Sequence, residues 1–265
     1  MDDVPGLDRS CIQGLTCRIV GSVVNFYDEL ESTNILAREM AEGNCRDGTV
    51  IVANRQTGGK GRMRRRWESP PGGLYLSVVL RPMIPAEQAS IIPLIAGLAV
   101  SKAISTTALL ETSLKWPNDI LIDERKVSGI LVESSVKGEI MEFAVIGIGI
   151  NANVDTSRFP DDFSKSSISL MEKSGEAVDR EELLRNILYF LDMIYARFMD
   201  GGGLQLLDEW AERSSTVGSE VIINLSGGHI VGKAVGLDDT GALLLSREGE
   251  IIRITEGDCV HLRDE

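Results

Sequence analysis

Residues 55–66 read RQTGGKGRMRRR: six of these twelve residues are cationic (Arg55, Lys60, Arg62, Arg64, Arg65, Arg66), none is acidic and three are glycine. Guanidinium groups pair bidentately with carboxylate or phosphate, and glycine lets backbone N–H groups come close to a ligand. A small anionic ligand fits this composition; a solvated basic loop is the plain alternative. The Gly-x4-Gly-Lys-Ser/Thr spacing of a phosphate-binding P-loop is missing. The whole chain carries −13, so with +6 here the remainder stands at −19. So acidic a body argues against nucleic acid as a partner.

Other chemistry is bounded by what is scarce. The 265 residues include two histidines, His229 and His261, which argues against a histidine base or a histidine-rich metal site. Four scattered cysteines (Cys11, Cys17, Cys45, Cys259) form no CxxC pair, so reduced thiols and a cytoplasmic setting are expected. The segment Gly147-Ile-Gly149-Ile-Asn151-Ala152 matches a dinucleotide fingerprint. That reading requires a helix to follow, whereas NVDTSRFPDDFSKSS carries no helical stripe. The glycines are better read as room for a ligand against a strand, or as relief of packing.

These residues need a frame. A composition 43% hydrophobic and 25% charged excludes wholesale disorder, and the length suits one large domain, or one large and one small. No run of about 18 apolar residues predicts a membrane span, and the acidic start MDDVPGLDRS is no secretory signal. Strands are predicted at 22–28, 48–56, 74–80 and 142–154, with strand–turn–strand–turn–strand over 114–136 and a hairpin tip at Asp123–Lys126. Helices are predicted after Ser32-Thr33-Asn34, where one of the three would cap and Gly43 would end the helix. Further helices are expected over 86–107, with Pro93 in the first turn or at a kink, over 179–200 behind Asp179, and over 204–214. Five short alternating strands from about 217 predict a small barrel. Trp67 and Trp116 could be core aromatics, and Asn118-Asp119 a simple turn pair.

Four segments together resemble the biotin protein ligases, also called biotin–[acetyl-CoA-carboxylase] ligases. They are Glu31-Ser32-Thr33-Asn34; Gly59-Lys60-Gly61-Arg62-Met63-Arg64-Arg65-Arg66-Trp67-x-Ser69-Pro70; Lys115-Trp116-Pro117-Asn118-Asp119, followed seven residues on by Lys126-x-x-Gly129-Ile130-Leu131; and Gly147-x-Gly149-Ile150-Asn151. The stretch Asp238-x-x-Gly241-Ala-Leu-Leu-Leu is similar as well. The resemblance implies an α+β fold: a mixed β-sheet flanked by helices (the biotin/lipoate ligase catalytic fold) with a small C-terminal SH3-like β-barrel. It divides the chain into an extension (1–21), a catalytic domain (22–214) and the barrel (215–265). Larger members carry an N-terminal helix-turn-helix repressor module. Only 31 residues precede Ser32, so the short form is expected, with no repressor function.

The implied activity joins biotin and ATP into biotinyl-5′-AMP, then transfers biotin to one lysine of a biotin carboxyl carrier protein domain. ATP and Mg2+ are the expected cofactors, with no metal held by protein alone; no membrane or nucleic-acid partner is expected, and a homodimer is common in the family. Ser32, Thr33, Asn34 and Gln56 would hold the biotin head, and Gly59, Lys60, Gly61 and Arg62 would wrap its tail. Gly129, Ile130, Gly147 and Gly149 would wall the pocket. Lys126 would meet the carboxylate and α-phosphate, with Arg62 and Lys115 as further catalytic cations. Arg65, Trp67, Lys115, Asn118, Asn151 and Arg263 would address the nucleotide. Two departures stand out from the family's GRGRxGRxW loop: Lys60 replaces an arginine, and Arg64 stands where glycine or asparagine is usual, restricting the backbone there. The alternatives are a lipoate or octanoate ligase of the same fold and a non-catalytic biotin-sensing regulator.

Overall fold

Alternation along each strand assigns its side chains to two faces, and both faces of the main sheet are covered by helices. The computed structural model describes residues 5–262. Its first sheet contains β1 (Val23–Leu30), β2 (Thr49–Gln56), β3 (Leu74–Leu80), β4 (Ser113–Lys115), β5 (Asp119–Ile122), β6 (Arg125–Lys137) and β7 (Ile140–Ile150), in the order β1-β2-β3-β7-β6-β5-β4. Only β1 and β2 run parallel; the other neighbours are antiparallel. Every side chain of the interior strand β3 is buried.

One face packs under α1 (Thr33–Glu42), where Ala37 and Ala41 meet Ile51, Val79, Phe143 and Val145. The other face packs under α2 (Ile91–Thr107), α5 (Arg180–Met199) and α6 (Gly203–Glu212). Val50 and Val52 point there while Ile51 points to α1, the period of two read from 48–56. The apolar stretch 86–107 divides into a 3-10 turn, Ala86–Ser90, and α2, with Pro93 in the first turn of α2. It is apolar and long enough to cross a membrane, yet most of it is buried against α5, α6 and the sheet. Asp179 caps α5 as expected, accepting from the N–H groups of Glu181 and Glu182.

Two regions differ from the sequence expectation. Residues 5–20, which carry little pattern, are held by polar anchors from far along the chain. Asp192 accepts from the N–H groups of Arg18, Ile19 and Val20 at 2.7–2.8 Å, and Arg180 donates to the carbonyls of Gly73 and Pro5. Each buried backbone donor needs such a partner, and no local periodicity reports one 174 residues away. Beyond β7 the chain forms two short helices, α3 (Asp161–Ser164) and α4 (Leu170–Ser174). Neither begins at Gly147–Ala152, so the dinucleotide fingerprint lacks its helix.

The C-terminal part forms β8 (Glu220–Leu225), β9 (Gly228–Leu237), β10 (Leu243–Arg247), β11 (Glu250–Ile254) and β12 (Asp258–His261). These are the five expected strands, antiparallel in the order β11-β10-β9-β8-β12; among the described residues no ladder closes β11 onto β12. Val221, Ile223, Ala234, Leu243 and Leu245 join the main core. The two sheets meet at the KWPND segment. Leu114 bridges Ser214, the Trp116 N–H donates to Thr216 Oγ1 at 3.0 Å, and the Trp116 indole reaches the Gly241 carbonyl at 3.4 Å. Trp116 is thus a core residue, 2% exposed.

Candidate active site

A cavity of about 550 Å3 opens on the α1 side of the main sheet, bounded by the basic loop and the edge of the C-terminal sheet. Its size suits a drug-sized ligand. It has a buried polar end, a glycine-lined middle and a cationic end.

The polar end lies at the start of α1. Ser32 occupies the capping position with extended backbone, but its side chain makes no capping bond. The next two residues are tied across the fold. Thr33 N–H and Oγ1 both donate to Gln56 Oε1 (2.8 and 3.1 Å), and Gln56 Nε2 donates to Ser69 Oγ. Ser77 Oγ lies 2.7 Å from Thr33 Oγ1 and 2.6 Å from Asn34 Oδ1, while Asn34 Nδ2 donates to Glu133 Oε2 at 3.0 Å. Ser32, Thr33 and Asn34 are each 3% exposed. Capping alone therefore does not account for the trio.

Glycines line the middle, where side chains of the site itself come close to the strands. On β7, Gly147 and Gly149 share the α1 face with Val145; a β-carbon at Gly147 would strike the Asn34 amide, and one at Gly149 the Trp67 indole. A β-carbon at Gly129 would come within 2.8 Å of Lys126 Cε. Ile130 lines the cavity while remaining 2% exposed in the main core.

The cationic end is built from both sheets. Gly61 N–H donates to the Arg65 carbonyl and Arg65 N–H to the Arg62 carbonyl, making a tight turn in which Met63 and Arg64 have φ of 53° and 60°. Arg64 is thus in the left-handed region at the position where the family usually has glycine or asparagine, a cost of about 1 kcal/mol or more. Arg62 donates to Asn118 Oδ1 (3.0 Å) and the Gly257 carbonyl (3.1 Å). Arg65 forms a two-pronged pair with Asp258 at 2.6 and 3.2 Å. Burial lowers the Arg62 pKa while Asp119 and Asp258 oppose that; the Arg65 pKa is raised by its bond to Asp258. Burial alone would raise the Asp258 pKa, but Arg65, Lys115 and Arg62 hold it below its ordinary value. Lys126 Nζ sits 2.6 Å from Asp119 Oδ1 and 5.3 Å from the Trp67 ring centroid. Trp67 Nε1 and Asn151 Oδ1 are buried without a hydrogen-bond partner among the described residues. One is a donor and the other an acceptor, and both residues line the cavity.

Of the residues singled out from the sequence, Ser32, Thr33, Asn34, Gln56, Lys60, Gly61, Arg62, Arg65, Trp67, Lys115, Asn118, Lys126, Gly129, Ile130, Gly147, Gly149 and Asn151 all line this cavity. Gly59 does not: it packs beneath the loop against the Trp67 carbonyl and Ser69 Oγ, where a β-carbon would collide. Arg263 lies outside the described residues. Sequence reasoning missed Ser77, Glu133 and Asp258 as partners of site residues, and Phe159, Phe163 and Ser167 as lining. Ser77 had a visible signal, as the one polar residue in LYLSVVL. Asp258 had none, because its meaning depends on a contact 193 residues away.

Comparison with known proteins defines the class. Residues 27–151 match the biotin/lipoate A/B protein ligase family, and residues 216–262 match the biotin protein ligase C-terminal domain. The chain is 36% identical over 246 residues to the bifunctional ligase/repressor BirA of Bacillus spizizenii, covering 92% of this chain and 76% of that protein. It is 35% identical over 240 residues to the biotin–[acetyl-CoA-carboxylase] ligase of Mycobacterium tuberculosis, covering 88% and 86%. The structure of the Aquifex aeolicus biotin protein ligase in complex with biotin and ATP superposes with a TM-score of 0.77 at 33% identity, covering 92% of this chain and all of that one. The chain belongs to the biotin protein ligase family.

Proposed function

We infer that this chain is an ATP-dependent biotin protein ligase that forms biotinyl-5′-AMP with release of pyrophosphate and then passes biotin to a lysine of a biotin carboxyl carrier protein domain. The observation that carries this reading is the single cavity joining a neutral polar end to a cationic end. The biotin head is an uncharged heterocycle that suits Ser32, Thr33, Asn34 and Gln56. Its carboxylate and the α-phosphate would meet where Arg62, Lys115 and Lys126 converge.

The first step brings together two anions. Charge must be neutralised and the carboxylate oxygen held in line with the bond to pyrophosphate. Lys126 carries that role: its ammonium stands between Asp119 and the Trp67 face, and as charge shifts to the leaving pyrophosphate it stabilises the transferring group. Arg62 and Lys115 complete the positive field. Asn151 Oδ1 and Trp67 Nε1, buried without a partner among the described residues, would serve the nucleotide. In the second step a carrier lysine attacks the carbonyl of the mixed anhydride and AMP leaves. No covalent enzyme intermediate is needed, in keeping with a chain of two histidines.

Mg2+ would come on the triphosphate, where it would neutralise phosphate charge. We place the boundary of the catalytic domain at 22–214 and of the SH3-like domain at 215–265. The four free thiols fit a cytoplasmic setting. A homodimer is supported by exposed apolar side chains near the β6–β7 turn, Val136 and Ile140, with Met83 close by through the Pro85–Ile140 bridge. The relatives named as biotin ligases do not favour the lipoate reading.

Incubation with biotin, ATP and an unmodified biotin carboxyl carrier domain is expected to add one biotinyl group to that domain by mass spectrometry. The same domain with its acceptor lysine replaced by arginine gains nothing. Failure of the intact domain to gain mass would overturn the proposed transfer.

A further inference from the structure

Two arginines of the basic loop are held by two consecutive residues where the C-terminal sheet enters β12: Arg62 by the carbonyl of Gly257, in the turn before the strand, and Arg65 by the carboxylate of Asp258, its first residue. The geometry of this hold is built in. Gly257 has φ of 145°, and a β-carbon there would press to 2.6 Å on Ile223 Cγ2 of β8, so glycine is needed for the turn that aims its carbonyl and the next carboxylate at the loop. Arg62 also donates to Asn118 and Arg66 pairs with Glu68 inside the loop, yet Asp258 is the carboxylate that reaches the loop from the C-terminal sheet. The loop's tip residue Met63 is 60% exposed, its tip backbone is left-handed at two non-glycine residues, and its cations repel one another.

We propose that Asp258 is a positioning residue: acting through Arg65, it keeps the basic loop closed over the cavity before any ligand binds. The carboxylate is an anion supplied by the chain itself, standing among cations otherwise left to substrate groups. It follows that the C-terminal sheet completes the site by setting the loop's resting position. The proposal rests on the ligase reading only in regarding this loop as the one that covers substrate; the ion pair and its consequence for loop opening do not depend on the reaction.

Limited proteolysis of the full chain reads this directly, because Lys60, Arg62, Arg64, Arg65 and Arg66 are all trypsin sites. Without ligands, Asp258→Asn is expected to raise the rate of cleavage within 60–66 about threefold, in the range expected for a partly exposed two-pronged pair. Cleavage elsewhere should stay unchanged, and Asp258→Glu should return the loop rate towards wild type. Raising salt from about 0.05 to 0.5 M should narrow the difference in loop cleavage between wild type and Asp258→Asn, since screening weakens a pair the variant lacks. Equal loop cleavage in wild type and Asp258→Asn, or faster cleavage spread over the whole chain, would overturn the proposal. Neither result bears on biotin transfer, which is measured separately.

Discussion

Lys126→Ala is expected to lower biotin-dependent ATP–pyrophosphate exchange by about 100-fold or more while biotin affinity changes by no more than about threefold, the scale seen when one preorganised charge-stabilising group is removed. The split follows from where Lys126 sits. The biotin head would be held at the far end of the cavity by Thr33, Asn34 and Gln56, whose hydrogen bonds involve no atom of Lys126. The ammonium lies at the junction, 2.6 Å from Asp119 and beside Trp67 and Gly129. Its loss also leaves Asp119 facing the site with no ion-pair partner, adding negative charge where two anions must meet. Isothermal titration with biotin and the exchange assay separate the two effects. Wild-type exchange, or loss of biotin binding in proportion to loss of exchange, would contradict the assigned role.

Arg62→Gly should release the adenylate. The guanidinium ties the basic loop both to Asn118 of the KWPND segment and to the Gly257 carbonyl. Hydrogen bonds made by a charged group contribute about 1.5 kcal/mol each, so losing two weakens closure by more than about tenfold. Glycine also adds backbone freedom to a loop already turning through Met63 and Arg64. Biotinyl-5′-AMP is a reactive mixed anhydride that a closed loop shields from water and stray amines. Labelling of lysines on a bystander protein should therefore rise about tenfold or more over wild type, read by streptavidin blot. Unchanged selectivity for the carrier lysine would remove Arg62 from the shielding role.

How far these residues could be read beforehand depended on whether their signal was local. The strand at 74–80 and the helix behind Asp179 follow from alternation and capping, and both lie where expected. The KWPND segment with Lys126-x-x-Gly129, and the Gly147–Gly149 pair, were legible through their resemblance to the family's motifs, and the cavity brings residues of both together. Gly59, expected at the ligand, has a second demand on it that the sequence did not show: its lack of a side chain serves the close approach of the Trp67 carbonyl and Ser69 within the loop's base. Asp192, Glu133 and Asp258 were beyond reach, since each acts on a partner about a hundred or more residues away. Arg64 lies between these cases. The sequence marked it as unusual, and the structure supplies the physical meaning, a left-handed backbone at a residue with a β-carbon.

The central claim is that one cavity accepts biotin and ATP together and joins them. Isotope exchange between pyrophosphate and ATP in the purified chain, with biotin or lipoate as the only added acid, tests it most directly. Exchange that requires biotin and is absent with lipoate is the predicted result. Exchange supported by lipoate rather than biotin, or none with either, would contradict the account.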